Sequence, residues 1–212
     1  MNIVILHCHF ERGGVSQVVE NHVRALSDHA EIQRIFLASG ERLGGLSTQT
    51  LAAVTALAVD DFDYDSKPYD ASVLTDRATA ITQHLIRSFR DHGVTPESTI
   101  LHWHNHSLGK NSAAPAVIRL LAETGWRLLL QIHDFAEDNR PGNYQHLISA
   151  SGAQSKIDID RFLYPVASQI HYATLTRADQ SAVLQIGVPK EHAHWLPNSV
   201  AAPAKQQPSK SE

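Results

Sequence analysis

The chain has 212 residues, 42% of them hydrophobic and 19% charged, with a formal net charge of −4 and 14 histidines. That length carries one large domain or two small ones, and no run of 18 uninterrupted apolar residues is present to span a bilayer. An acidic balance with no Lys/Arg cluster excludes nucleic acid as the main partner, because neutralising phosphates needs a basic face.

The N-terminal "MNIVILHC" has no basic region before its apolar run and no small-residue cleavage site after it, so it reads as a first strand, and a cytoplasmic location is expected. The single cysteine, Cys8, permits no internal disulfide. Next, Val15, Val18, Val19, Val23 and Leu26 fall on one stripe at helical spacing, opposite Ser16, Gln17, Glu20, Asn21 and Arg24. "EIQRIFLAS" predicts a second strand and "TLAAVTALAV", residues 50–59, a third. A helix is expected over residues 75–92, with Ala78, Ile81, Leu85 and Phe89 as its apolar stripe and Gly93 as its stop. "STILHWH" is the fourth strand, and a helix opened by Pro115 and closed by Gly125 follows. "RLLLQIH", nearly all apolar, suits a central parallel strand. The polar segment after His133 is expected to be a long loop holding one short helix at residues 144–149. "SQIHYATL" is a further strand, Thr176 and Asp179 make a capping box, and "HAHWLPNSV" is the last strand.

Alternating strands and helices define an α/β fold, a Rossmann-like parallel sheet flanked by helices, over residues 1–200. The tail at residues 201–212, without a large apolar side chain, is expected to be disordered or the start of a linker.

Ligands of open parallel sheets bind beyond the carboxyl ends of the strands. Three expected strands end there in histidine: His7 and His9 after the first, His102, His104 and His106 after the fourth, His133 after the fifth. Gly13 and Gly14 can adopt backbone angles denied to other residues and lie where a helix N-terminus would favour a phosphate or diphosphate. The spacing is neither the dinucleotide fingerprint nor a Walker loop, and a tight turn that merely starts the helix is the alternative.

In an extended chain His102, His104 and His106 share a face and could meet on zinc, yet no carboxylate sits within the triplet and the lone cysteine is distant. Substrate hydrogen bonding, or imidazole donors satisfying buried carbonyls, are the other readings. His133 beside Asp134 could bond a hydroxylated ligand or take a proton, or simply anchor the loop. The "DDFDYD" aspartates lack the pattern of an EF-hand and read as a solvated acidic turn. The three tryptophans are assigned to core packing.

"HFERGGVSQVVENHVRAL", "ILHWHNH", "LLLQIHD" and "HAHWLPNSV", in this order, resemble the N-terminal, acceptor-side domain of GT-B glycosyltransferases of the family-4 type, retaining enzymes that use nucleotide sugars. The resemblance implies that Gly13 and Gly14 lie near the donor's diphosphate and that His133 is the catalytic-site histidine contacting the transferred sugar. It places His102 and His104 toward the cleft where the acceptor enters, with His9, His106 and Asp134 as further acceptor or sugar contacts. The family's acidic position after the glycines is here Ser16 or Gln17.

The implied partners are a nucleotide-sugar donor, a hydroxylated acceptor, and a C-terminal donor-binding domain in cis or trans. A homodimer through the exposed interdomain face and a peripheral membrane contact are also admitted. No cofactor and no metal are expected, the nucleotide sugar being a substrate. The expectation is half of an enzyme, inactive alone. A stand-alone sugar- or partner-binding module is the alternative, followed by a metal hydrolase built on His102, His104, His106 and His133.

Overall fold

A computed structural model describes residues 1–198 of the chain, and the tail expected at residues 201–212 lies outside the described residues. Strand β1 (Asn2–Leu6) leads into helix α1 (Gly14–Ser27), and β2 (Arg34–Ser39) into α2 (Thr48–Ala52) and β3 (Thr55–Ala58). Then come α3 (Ala71–Asp91), β4 (Thr99–His104), α4 (Ala114–Glu123) and β5 (Arg127–Ile132). Helices α5 (Pro141–Ser151) and α6 (Lys156–Leu163) precede β6 (Ile170–Thr174), α7 (Arg177–Ile186) and β7 (Ala193–Trp195).

Among the described residues, all seven strands pair in parallel in the order β3-β2-β1-β4-β5-β6-β7, the Rossmann-like arrangement. The order reverses between β1 and β4, whose register sets Ile5 beside His102 and Leu6 beside Trp103. Alternation along the strands supplies two cores. Val4, Leu6, Phe36, Leu101, Trp103, Leu128 and Leu130 join the larger one with α3, α4 and α6. Ile3, Ile5, Ile35 and Leu37 join the smaller one, closed by Val19 and Val23 of α1. Ile100 belongs to the smaller core, so His102 and His104, two and four residues on, also point under α1.

Four expectations are corrected. "TLAAVTALAV" is not one strand: Ser47 caps a short helix by accepting from Thr50 N at 3.2 Å, and only Thr55–Ala58 pairs with β2. The long loop after His133 carries two helices. Pro141 at the first turn of α5 and Gly152, left-handed at φ 69°, bound the first, and Ser155 caps the second by accepting from Asp158 N. Helix α3 also starts earlier than expected, where the Asp70 carboxylate accepts from Ser72 N at 2.9 Å. The Thr176/Asp179 capping box forms with both of its hydrogen bonds. Trp103 and Trp126 are core residues as expected, whereas Trp195 is 46% exposed and lies under the Arg177 guanidinium.

Candidate functional site

The crevice lies beyond β1 and β4, where strand order reverses. Across it His7 donates from Nδ1 to His104 O at 3.0 Å, tying the two strand ends together. His9, half-buried, accepts from Glu11 N at 3.2 Å and sits edge-on to Tyr64 with ring centres 4.5 Å apart. Burial lowers the pKa of both histidines, that of His7 to about 4.

Gly13 and Gly14 open helix α1 as expected, but neither uses a left-handed conformation: Gly13 has extended backbone, and positive φ is confined to other positions. What distinguishes them is space. Among the described residues, a Cβ on Gly14 would meet nothing within 4 Å, and one on Gly13 only Glu11 O at 3.9 Å. No side chain caps the first-turn N–H groups of α1 among the described residues. The loop before them is held from behind by Phe10 N donating to Arg42 O and Gly45 N donating to Phe10 O, each 2.8 Å.

Gly45 is required by that approach, since its Cβ would lie 2.2 Å from Glu11 C.

The histidines divide into three groups. His102, 5% exposed, donates from Nε2 to Gln131 Oε1 at 2.9 Å, and its ring stacks on His104 at 4.4 Å. His104 is fully buried, and its Nδ1 lies 2.8 Å from His133 Nε2. Both are sealed beneath α1 against His22 rather than lining the open crevice. His106 turns elsewhere: it donates to Leu163 O at 2.9 Å beside Tyr164 and Tyr172, serving the backbone of the larger core.

Of the histidines at the ends of β4 and β5, His133 keeps partial access to the crevice edge, with Asp134 next to it and half exposed. Burial lowers His102 to about 3, His106 and His133 to about 4, and His104 well below its ordinary range. All four are neutral at pH 7, so His133 can act there as an imidazole donor or acceptor.

Sequence reasoning missed Asn105. At φ 54° it turns the chain after β4, and its Oδ1 accepts from His133 N at 2.7 Å and Asp134 N at 3.3 Å. An Asn directly after a strand-ending His was the available signal, since Asn tolerates the left-handed turn. His22 was also missed, although it stands in helical register with Val18 and Leu26 on the buried stripe. The acidic turn is not simply solvated. Arg42 pairs with Asp63, Arg77 with Asp61, and buried Asp65 takes Arg77 at 3.0 Å and His146 at 2.8 Å.

Two pockets are formed by the loops and helices after β3 to β6. One, of about 350 Å³, is lined by Tyr64, Asp65, Lys67, Lys110, Asn143 and His146; the Asp65 carboxylate is taken by Arg77 and His146, and neither lysine has a carboxylate within 4.0 Å among the described residues. The larger, about 480 Å³, presents Glu137, Asp138, Asp160 and Asp179 against Lys156, a lining that repels a phosphorylated ligand. For metal, the nitrogens of His22, His102 and His104 lie within 4.8 Å of one another. No helix among the described residues is long and apolar enough to cross a membrane.

Fold and crevice together define a Rossmann-like α/β chain with a histidine-bearing site at its switch point. The chain is a distant homologue of mannosylglucosyl-3-phosphoglycerate synthase from Petrotoga mobilis, 29% identical over 206 residues. The match covers 94% of this chain but spans 37% of that protein's length. Among solved structures, a nucleoside-diphosphate-sugar epimerase from Staphylococcus aureus aligns over 92% of this chain and 70% of its own, at 13% identity and a TM-score of 0.37. No protein-family model matches the chain.

Proposed function

We propose that the chain is the acceptor-side half of a GT-B, retaining glycosyltransferase, moving a sugar from a nucleotide-sugar donor to a hydroxyl acceptor. The sequence match along nearly the whole chain to a synthase named for a mannosylglucosyl phosphoglycerate carries this reading. The crevice supports it in chemistry. The donor's diphosphate would lie over Gly13 and Gly14, where the free N–H groups and dipole of α1 stabilise the charge that develops as it leaves. His133, held by Asn105 from its backbone, would hydrogen-bond the transferred sugar and fix it for attack. The acceptor would occupy the Tyr64 side, where Lys67 and Lys110 suit an anionic compound such as a phosphorylated glycerate derivative.

The remaining donor contacts are assigned to a second domain, in cis or trans, since this chain spans 37% of its relative. A cytoplasmic setting belongs to the same proposal. The test is calorimetric titration of the purified chain with uridine, guanosine and adenosine diphosphate sugars, with product analysis in the presence of phosphorylated acceptors. Binding of one donor with a Kd of about a millimolar and no product are expected. Robust transfer by the chain alone would overturn the half-site assignment, and no binding of any donor would overturn the glycosyltransferase reading.

A further inference from the structure

Three imidazoles from two elements meet beneath α1: His22 from the helix, His102 and His104 from β4. Two of their nitrogens, His22 Nδ1 and His104 Nε2, are buried with no hydrogen-bond partner among the described residues. A buried polar atom left unpaired costs roughly 1–3 kcal/mol, so two in one cluster call for a common partner.

We propose that His22, His102 and His104 hold a transition-metal ion of the zinc class that pins α1 to the sheet.

The surroundings orient the ligands. Gln131 Oε1 accepts from His102 Nε2, which leaves the His102 lone pair on Nδ1. With an ion on His104 Nε2, His104 carries its proton on Nδ1 and donates it to His133 Nε2 at 2.8 Å. That fixes His133 as the tautomer protonated on Nδ1, so the buried ion sets which hydrogen-bonding role His133 offers a ligand. Three nitrogens about 2.1 Å from zinc stand roughly 3.4 Å apart. Closing from 4.8 Å moves each by less than about 1 Å, by tilting the rings that now stack at 25° to 39°.

Water would take the fourth tetrahedral position from the side of half-buried His22, and with His102 and His104 almost wholly buried the role is to pin the helix rather than to meet substrate. This goes beyond the proposed sugar transfer and does not depend on it.

The chain also carries a competing surface cluster: His171 Nδ1 lies 2.9 Å from exposed His194 Nε2, and the His192 ring is tilted against His171 with centres 4.5 Å apart. The experiment separates the two. Chelator-treated protein is loaded with zinc or cobalt, passed through gel filtration, and measured for metal content, the cobalt absorption spectrum and Tm. Wild type and H194A should keep about one ion per chain with a tetrahedral cobalt spectrum and a raised Tm. H22A, whose alanine favours the helix, should stay folded by circular dichroism and bind at least about tenfold more weakly. Failure of wild type to retain metal, retention undiminished in H22A, or loss in H194A would each overturn the proposal.

Discussion

G45A and G14A make opposite predictions for stability and the same one for donor binding. An alanine Cβ at position 45 would stand 2.2 Å from Glu11 C, 2.3 Å from Arg12 N and 2.4 Å from Glu11 O, all backbone atoms. To reach ordinary contact, near 3.4 Å, the loop must retreat by about 1 Å. The retreat stretches the paired 2.8 Å hydrogen bonds between Phe10 and the 42–45 segment. Overpacking of this kind costs about 1–3 kcal/mol, which lowers Tm by several degrees in a chain of this size. It also carries Gly13 and Gly14 away from their position at the crevice. Losing one charge-assisted hydrogen bond to the diphosphate, about 1.5 kcal/mol, weakens donor binding about tenfold.

G14A differs, because among the described residues nothing lies within 4 Å of its Cβ. Its Tm should hold or rise, as alanine is the better helix former by up to about 1 kcal/mol. Its donor affinity should nevertheless fall, because the methyl group narrows the approach to the helix N-terminus. Melting curves and calorimetric titration with the donor read both effects. G45A matching wild type in both, or G14A binding donor as wild type does, would refute the assignment of this loop to the diphosphate.

N105G keeps the left-handed turn while removing the acceptor of His133 N, so it should destabilise the fold by about 1–3 kcal/mol in urea unfolding. N105A should cost more, because alanine strains at φ 54°; equal losses in the two variants would contradict a conformational role. Burial raises the pKa of Glu137, which accepts from Tyr164 Oη at 3.0 Å. A carboxyl with a raised folded pKa stabilises most below its unfolded pKa and loses that contribution as pH rises through the folded one. E137Q retains the acceptor without the charge, so its stability gain over wild type should be larger at pH 8 than at pH 4, measured by Tm. A gain independent of pH would refute the buried-charge account.

The sheet was legible because its strands are short, almost wholly apolar and separated by helical stripes, as in "NIVIL" and "RLLLQI". The third strand failed because alanine-rich residues 50–59 favour neither state, and the Ser47 cap decided for helix. The helices after His133 carried their signals, Pro141, Gly152 and Ser155 with Asp158, but lay in a polar stretch with weak periodicity.

At the site, the strand-end histidines fall at the carboxyl edge of the sheet, as their places in the sequence put them. Period-two alternation could not reveal that helix α1 would lie over His102 and His104, nor that His106 would turn toward Leu163. Those outcomes depend on tertiary packing, where His22 faces the two rings from another element.

The location of the donor site is tested most directly by amide chemical-shift mapping of the isotope-labelled chain during titration with the nucleotide sugar that binds. The largest shifts are expected at Gly13, Gly14, Val15, Asn105, His133 and Asp134, joined across the β1–β4 switch point. Shifts gathered instead around the acidic pocket of Glu137 and Asp160, or none at saturating donor, would contradict it.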